Sequence, residues 1–179
     1  MLANRSATLA YIDQDEGPEV NIGPGEPGGG SARGLSLEVW NEYNKAHGLP
    51  QVGVKDLNQV TADLAGKVYS WRFLDPLRFD DLPAGVDYRM ADAAITLGET
   101  GACLILHMAM QMYPVTGIID AATLKVVHAA DPKVIIAALD AAWLAWKHGM
   151  SADGWTKYNH GWINRVVKVR DRALAMLNA

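Results

Sequence analysis

The sequence has 179 residues, enough for one domain with a substantial hydrophobic core. Half of the residues are hydrophobic and a fifth are charged, which is ordinary for a folded protein and excludes an intrinsically disordered chain. The formal net charge of −4 argues against a protein whose main partner is a nucleic acid, because phosphate binding requires a concentrated basic surface.

The chain begins with the stretch MLANRSATLAYIDQDEG, which lacks a sustained apolar core and becomes acidic towards its end. A signal peptide or a membrane anchor needs such a core, so neither is expected here. We therefore expect synthesis in the cytoplasm and no stable insertion into a membrane. The spacing of the apolar residues instead predicts a first helix near 3–15.

Residues 17–34 interrupt the helical pattern with the segment GPEVNIGPGEPGGGSARG, in which Gly and Pro fill ten of eighteen positions. No regular helix survives that composition. A flexible linker is one interpretation, but the sixteen residues before the segment are too few for a domain that needs linking. We predict a structured loop or a short hairpin. A functional site is expected there, because glycine lets the backbone approach a ligand closely.

Beyond this loop the apolar spacing is helical to the end of the chain. The stretch 101–113 is apolar nearly all round, as expected of a helix packed on several sides. The helix near 131–148 has apolar residues three and four positions apart and begins at Asp131-Pro132. The expected fold class is therefore all-α. The remaining helices are predicted near 36–47, 56–70, 86–97, 120–129 and 155–177.

The last predicted helix is basic. From Trp155 onwards five basic residues accompany a single acidic residue, Asp171. A solvated helix face is the commonest explanation of such a charge run, and contact with an anionic polymer is the alternative. The basic residues are Lys157, Arg165, Lys168, Arg170 and Arg172.

Glu16 is the most promising catalytic residue on position alone. It lies where the first helix breaks at Gly17-Pro18, beside the Gly/Pro-rich loop. A glutamate at the edge of a cleft can be desolvated, which raises its pKa and lets it donate a proton to a leaving oxygen. An exposed surface glutamate is the commoner outcome of such a position. Glycoside hydrolysis also needs a second polar group, for which the loop offers Glu19, Glu26 and Ser31.

Other chemistries have weaker support. The five histidines show no spacing typical of a metal site, and we predict neither a metal nor another cofactor. The segment Gly28-Gly29-Gly30-Ser31 lacks the lysine of a phosphate loop, and the nearby carboxylates would repel phosphate. The single cysteine, Cys103, stands among apolar residues, which predicts a buried thiol rather than a nucleophile.

Four motifs in the first half of the chain occur in an order that matches a known family. They read Glu16-Gly17-Pro18-Glu19-Val20-Asn21, Glu26-Pro27-Gly28-Gly29-Gly30-Ser31, Tyr69 with Arg72-Phe73-Leu74-Asp75, and Asp81-Leu82-Pro83-Ala84-Gly85-Val86-Asp87-Tyr88. Their order and approximate spacing resemble the opening signature, the aromatic-rich segment and a later helix start of glycoside hydrolase family 108. This is the N-acetylmuramidase family of phage endolysins and prophage secretion activators.

The second half adds two motifs. Residues 115–124 read VTGIIDAATL and residues 161–166 read GWINRV. They are similar to a turn and helix start, and to the terminal helix, of the family's predicted peptidoglycan-binding portion. The resemblance thus extends over roughly 8–174. It implies a lysozyme-like catalytic part over 1–84 and a helical, peptidoglycan-binding part over 85–179, packed as one compact unit.

The resemblance implies a lysozyme-like helical bundle that hydrolyses the β-1,4 bond between N-acetylmuramic acid and N-acetylglucosamine in bacterial peptidoglycan. The family's catalytic glutamate falls on Glu16. Glu26 would stabilise the transition state or activate water, and Ser31 would help to position that water. The protein would act on the cell wall after release from the host cytoplasm, for which a separate holin is expected. Four residues of the matching segments are expected to contact substrate: Arg33, Tyr69, Phe73 and Tyr88.

Two alternatives to an active phage endolysin remain. One is a catalytically inactive peptidoglycan-binding or virion structural protein of the same fold. It draws on the departures from the family pattern, in which Pro18-Glu19 replaces Gly-Tyr, Glu26 replaces Asp, Ser31 replaces Thr and Leu74 replaces Trp. Losing two aromatic rings removes surfaces on which sugars could pack. The other is a helical regulator of nucleic acid, which the net charge disfavours.

Overall fold

A computed structural model of the chain describes residues 2–23, 27–150 and 152–177. The first half contains two helices that flank a small sheet, followed by a third helix: α1 (Leu2–Glu16), β1 (Val20–Asn21), β2 (Ser31–Ala32), β3 (Leu35–Ser36), α2 (Leu37–Ala46) and α3 (Ala62–Tyr69). The second half is helical: α4 (Val86–Ala109), α5 (Ala121–Ala129), α6 (Pro132–Met150) and α7 (Ala152–Met176). This confirms the prediction of a lysozyme-like, mostly helical fold with one short hairpin near the N-terminus.

Capping side chains set where several helices begin. The Ser36 hydroxyl accepts a hydrogen bond from Val39 N at the start of α2, and Thr61 accepts one from Leu64 N at the start of α3. Asp120 and Asp131 do the same before α5 and α6. Each cap satisfies a backbone N–H that the first helical turn leaves without a partner. The cap at Thr61 explains why the helix predicted near 56–70 begins later than expected.

Two short helical turns of other types complete the first half. Val54–Gln59 forms a 3-10 helix before α3, and Ser70–Leu74 continues α3 as a π-helical turn. In the second half, α4 covers the stretch predicted near 86–97 and most of the stretch predicted near 101–113, and it ends at Ala109. Gly98 lies between those stretches and has non-helical dihedral angles, with φ 75° and ψ 162°. The expected interruption is therefore a local break within one element.

The chain divides into two compact units. The N-terminal unit is Ser6–Asp75 and holds most of α1, the sheet, α2 and α3. The C-terminal unit is Pro76–Ala179 together with the residues up to Arg5. The domain boundary predicted between residues 84 and 85 remains a prediction, as does the packing of the two parts as one compact unit.

Helices α4, α6 and α7 pack against one another in the C-terminal unit. The predicted apolar stripe of α6 faces the core, since Ile135, Leu139 and Trp143 are buried. The indole N–H of the buried Trp143 also has a hydrogen-bond acceptor, because it donates to Thr96 Oγ1 at 3.0 Å. Cys103 is buried as expected, and desolvation raises the pKa of its thiol to about 11. Across the described helices, none combines the length and hydropathy needed to cross a bilayer.

A buried ion pair joins α4 to α6. Arg89 is fully buried, and its Nε donates to Asp140 Oδ1 at 2.7 Å. A second carboxylate, Asp92, lies 3.5 Å from Arg89 Nη1 and also accepts from Arg165 Nε of α7 at 2.9 Å. The three helices of the core are thus joined by a chain of charges as well as by apolar contacts.

Replacing Asp140 with Asn should destabilise the protein by about 3–5 kcal/mol, because it removes the closer of the two carboxylates that pair with the buried Arg89 charge. Urea unfolding monitored by circular dichroism measures the change. Asp81→Asn is the matched control, since it breaks the exposed Arg78–Asp81 pair and should cost at most about 1 kcal/mol. Equal losses in the two variants would contradict this account of the buried pair.

Candidate active site

Helix α1 ends at Glu16 because Gly17 turns the chain. The Gly17 N–H donates to Asp13 O at 3.0 Å, and Gly17 has a φ of +71°, in the left-handed region that glycine adopts without steric cost. Glu16 is therefore the last helical residue, and its side chain is half-buried. The sequence prediction of a glutamate at the junction of helix and loop agrees with this placement.

The Gly/Pro-rich segment forms a three-stranded antiparallel sheet in the order β1-β2-β3. Val20 pairs with Ala32 across β1 and β2, and Ala32 pairs with Leu35 across β2 and β3. Arg33 and Gly34 are the two residues that connect β2 to β3, with φ values of +50° and +69°. Two positive φ angles are typical of a type I′ turn, which suits the twist of a hairpin.

Gly34 lies where Glu16 and Tyr69 meet the hairpin. A Cβ atom placed on Gly34 would lie 2.6 Å from Glu16 Cγ, closer still to Glu16 Oε2, and 2.6 Å from the Tyr69 hydroxyl oxygen. No real side chain could occupy that position without displacing its neighbours. The end of α1, the turn of the hairpin and the end of α3 therefore converge on one point, where a carboxyl and a phenol lie side by side.

Arg33 ties these three elements together. Its Nη1 donates to Asp13 Oδ1 at 2.6 Å, one turn before Glu16 on α1. Its carbonyl oxygen accepts the Tyr69 hydroxyl at 3.2 Å, and its backbone N–H donates to Glu19 O at 3.2 Å. The Arg33 guanidinium is thus paired with Asp13, and its main chain fixes the position of the phenol.

An aromatic surface continues from Tyr69 along the π-helical turn. The Tyr69 and Phe73 rings lie 5.7 Å apart between centroids, and the Arg72 guanidinium lies 5.4 Å from the Phe73 centroid. Tyr69 is only 4% exposed, whereas Phe73 is half-buried. Of these two rings, Phe73 offers the accessible face.

The structure locates some candidates for the second catalytic group. Glu26 lies outside the described residues. Ser31 is half-buried in β2, where it is the cross-strand neighbour of Asn21 and Ser36. The Glu19 carboxylate folds back over Gly17, since a Cβ atom added to Gly17 would collide with Glu19 Oε2. Glu19 is thus a described carboxylate close to the end of α1.

Tyr88 has a different environment from the other predicted substrate-binding residues. It belongs to α4 in the C-terminal unit and is only 3% exposed. Its hydroxyl accepts a hydrogen bond from Arg172 Nη1 at 3.3 Å. This is the environment of a core tyrosine, so its expected contact with substrate stays a prediction with no support from its exposure.

Asp13 and Gly34 have no predicted role in the sequence motifs described above. The available signal for Asp13 was its spacing, because residues i and i+3 of a helix share a face and Glu16 follows three residues later. For Gly34 the signal was a two-residue turn between short extended segments. Both residues shape the site without themselves carrying the expected chemistry.

A side-chain acid in this arrangement could transfer a proton. A carboxyl next to a hydroxyl, over an exposed glycine backbone, can approach a ligand oxygen directly. Within residues 2–23, 27–150 and 152–177, no group of three or more His, Cys, Asp or Glu side chains is arranged to hold a metal ion.

Comparisons with known proteins identify the family of the chain. No curated protein matches the chain. A solved structure, that of SagA from Brucella abortus, superposes with a TM-score of 0.84 at 29% sequence identity, over 100% of this chain and 98% of that one. The model of the family Glycosyl hydrolase 108 matches residues 9–98, half of the chain. The chain therefore belongs to glycosyl hydrolase family 108, and it is a peptidoglycan-hydrolysing glycosidase of the N-acetylmuramidase type.

Proposed function

We propose that the protein is a phage endolysin-like muramidase that lyses the cell wall, with Glu16 as the acid that protonates the glycosidic oxygen. The observation that carries this proposal is the convergence of Glu16 and Tyr69 over the backbone of Gly34. Because Gly34 has no side chain, the Glu16 carboxyl and the Tyr69 hydroxyl can lie directly against the exposed turn of the hairpin, where a glycosidic oxygen would have to reach them. The role assigned to Glu16 rests on the family resemblance together with this geometry.

The hairpin turn is attached to α1 next to Glu16. The Arg33 guanidinium pairs with Asp13, one helical turn before Glu16. The Tyr69 hydroxyl donates a hydrogen bond to the Arg33 carbonyl oxygen. The hydroxyl oxygen of Tyr69 can therefore accept a hydrogen bond from a neighbouring acid.

A second group is needed after the proton is transferred. We assign Glu26 to stabilise the cationic transition state or to activate water, and Ser31 to help position that water. Arg33 and Tyr69 would hold the turn and the acid in place. Phe73 would supply the aromatic face on which a sugar ring packs.

The biological setting belongs to the same proposal. An endolysin made in the host cytoplasm would reach its substrate after a separate holin opens the membrane. The C-terminal unit would add affinity for peptidoglycan. Among Arg165, Lys168, Arg170 and Arg172 of α7, Lys168 is exposed and the other three are half-buried. Lys168 is therefore the residue that we test for contact with an anionic wall.

Glu16→Gln should abolish lysis while leaving the fold intact, because it removes one proton donor and preserves shape. Turnover should fall below about a hundredth of wild type, given the 10²–10⁴-fold contribution of general acid catalysis. Zymography on purified cell wall measures the loss. Pelleting of the inactive variant with cell wall separates lost chemistry from lost binding. If wild type pellets with the wall and shows no lytic band, the protein is a binder instead.

Glu26→Gln should lower turnover strongly, though less completely than Glu16→Gln, because Ser31 or a bound water could share its role. Initial rates of turbidity loss on purified sacculi give the comparison. Glu19→Gln is the matched control, since it removes a carboxylate from the same loop and should have the smaller effect. The reverse order would transfer the second catalytic role to Glu19.

Lys168→Glu should weaken binding of cell wall at low salt and have little effect at high salt. Exposed charges attract over a distance of only about 8 Å at physiological ionic strength. Pelleting with sacculi over a salt series measures this, with Lys133→Glu on α6 as an equally exposed control. Identical binding by both variants at every salt concentration would show that Lys168 has no specific role in wall binding. The basic residues of α7 would then be explained as a solvated helix face.

A further inference from the structure

A groove of about 540 Å³ lies in the N-terminal unit, apart from the convergence at Gly34. Residues of α1, α2, α3 and the π-helical turn line it. Gly66 also lines the groove and contributes no side chain. A Cβ atom on Gly66 would lie 3.6 Å from Leu9 Cδ1, so α1 and α3 are in close contact there. The groove is therefore a built feature of the packed helices.

The groove occupies a different face of α3 from the candidate active site. Tyr69 points to Gly34 and Glu16, whereas Lys67 and Trp71 line the groove. Successive helical residues are rotated by about 100°, so Lys67, two positions before Tyr69, lies roughly on the other side of the helix. The part of the groove that Lys67 lines therefore faces away from Gly34.

Trp71 is held in the groove by two other rings. Its ring centroid lies 5.6 Å from that of Tyr43 and 5.8 Å from that of His47, with interplanar angles of 79° and 72°. Tyr43 and His47 also pack against each other at 4.0 Å. The two edge-to-face contacts of Trp71 restrain its indole, and Trp71 is half-buried. A restrained aromatic ring with an accessible part can pack against the apolar face of a sugar.

Polar groups of both kinds surround this aromatic cluster. Asp63 and Lys67 are exposed along α3, where they supply an acceptor and a donor. His47 Nδ1 donates to the Tyr43 carbonyl at 2.8 Å, so Nε2 of the neutral ring is an acceptor. Hydroxyl and acetamido groups both donate and accept hydrogen bonds. The mixture therefore suits a neutral, polyhydroxylated ligand, and the carboxylates of Asp63 and Asp75 disfavour a phosphate.

We infer that this groove is a second saccharide site, which holds a β-1,4-linked N-acetylhexosamine strand. The inference rests on the glycosidase assignment of the chain and deepens it. Trp71 packs against a sugar ring, while Asp63 and Lys67 hydrogen-bond to its substituents. Such a site would keep the enzyme on a polymeric substrate between cleavages at Glu16.

Nuclear magnetic resonance of the Glu16→Gln protein tests this inference without relying on turnover. The probe is tetra-N-acetylchitotetraose, titrated into ¹⁵N-labelled protein. The Trp71 indole N–H, identified by its disappearance in Trp71→Phe, reports on the groove. The Gly34 backbone amide reports on the candidate active site. We expect the Trp71 signal to shift with added saccharide while the Trp146 indole of α6 stays unchanged.

A second variant separates the two sites. Lys67→Ala should raise the dissociation constant read at Trp71 by about fivefold, the loss expected for one hydrogen bond. The constant read at Gly34 should not change, and Lys133→Ala should alter neither. A Trp71 signal that does not move, or that follows Gly34 in every variant, would overturn the second site. Failure of wild type to lyse cell wall would instead contradict the proposed role of Glu16.

Discussion

The approach of Glu16 and Tyr69 to the backbone of Gly34 constrains much of the N-terminal unit. It requires α1 to end at Glu16, which the left-handed Gly17 achieves, and it requires a two-residue turn with positive φ angles between β2 and β3. The Arg33–Asp13 ion pair and the Tyr69–Arg33 hydrogen bond then hold the turn against both helices. A side chain at position 34 would disturb all of these contacts at once, so the glycine is a structural requirement of the site.

Helix α3 and the π-helical turn that follows it present different chemistry on different faces. Tyr69 is buried against the hairpin turn, and its hydroxyl is committed to the Arg33 carbonyl. Lys67 and Trp71 lie along the groove, where polar groups are exposed and the indole is restrained by Tyr43 and His47. In the two proposals, α3 and the π-helical turn that continues it order both the acid and the saccharide-binding groove. Capture and cleavage of an insoluble polymer would then depend on one continuous segment of the chain.

The helices and the position of Glu16 could be predicted from the sequence because both depend on local signals. Apolar spacing and capping residues such as Asp131 specify helices, and Gly17-Pro18 ends one. The contacts around Gly34 depend on tertiary structure, since Arg33 and Tyr69 are 36 residues apart. The aromatic cluster of the groove was missed for the same reason, as Tyr43 and Trp71 lie on different elements. Burial also separates Tyr88 from Phe73, although both lie in segments that match the family.

The departures from the family motif differ in what they change. Leu74 is fully buried, so a smaller residue there alters packing in the interior and not a surface that a sugar can reach. Glu19 is exposed, and its carboxylate lies over Gly17 next to the acid. An aromatic ring at that position could pack against substrate, whereas a carboxylate lies over Gly17 instead. The replacement at Glu19 therefore changes the accessible surface at the end of α1, whereas the one at Leu74 changes the interior.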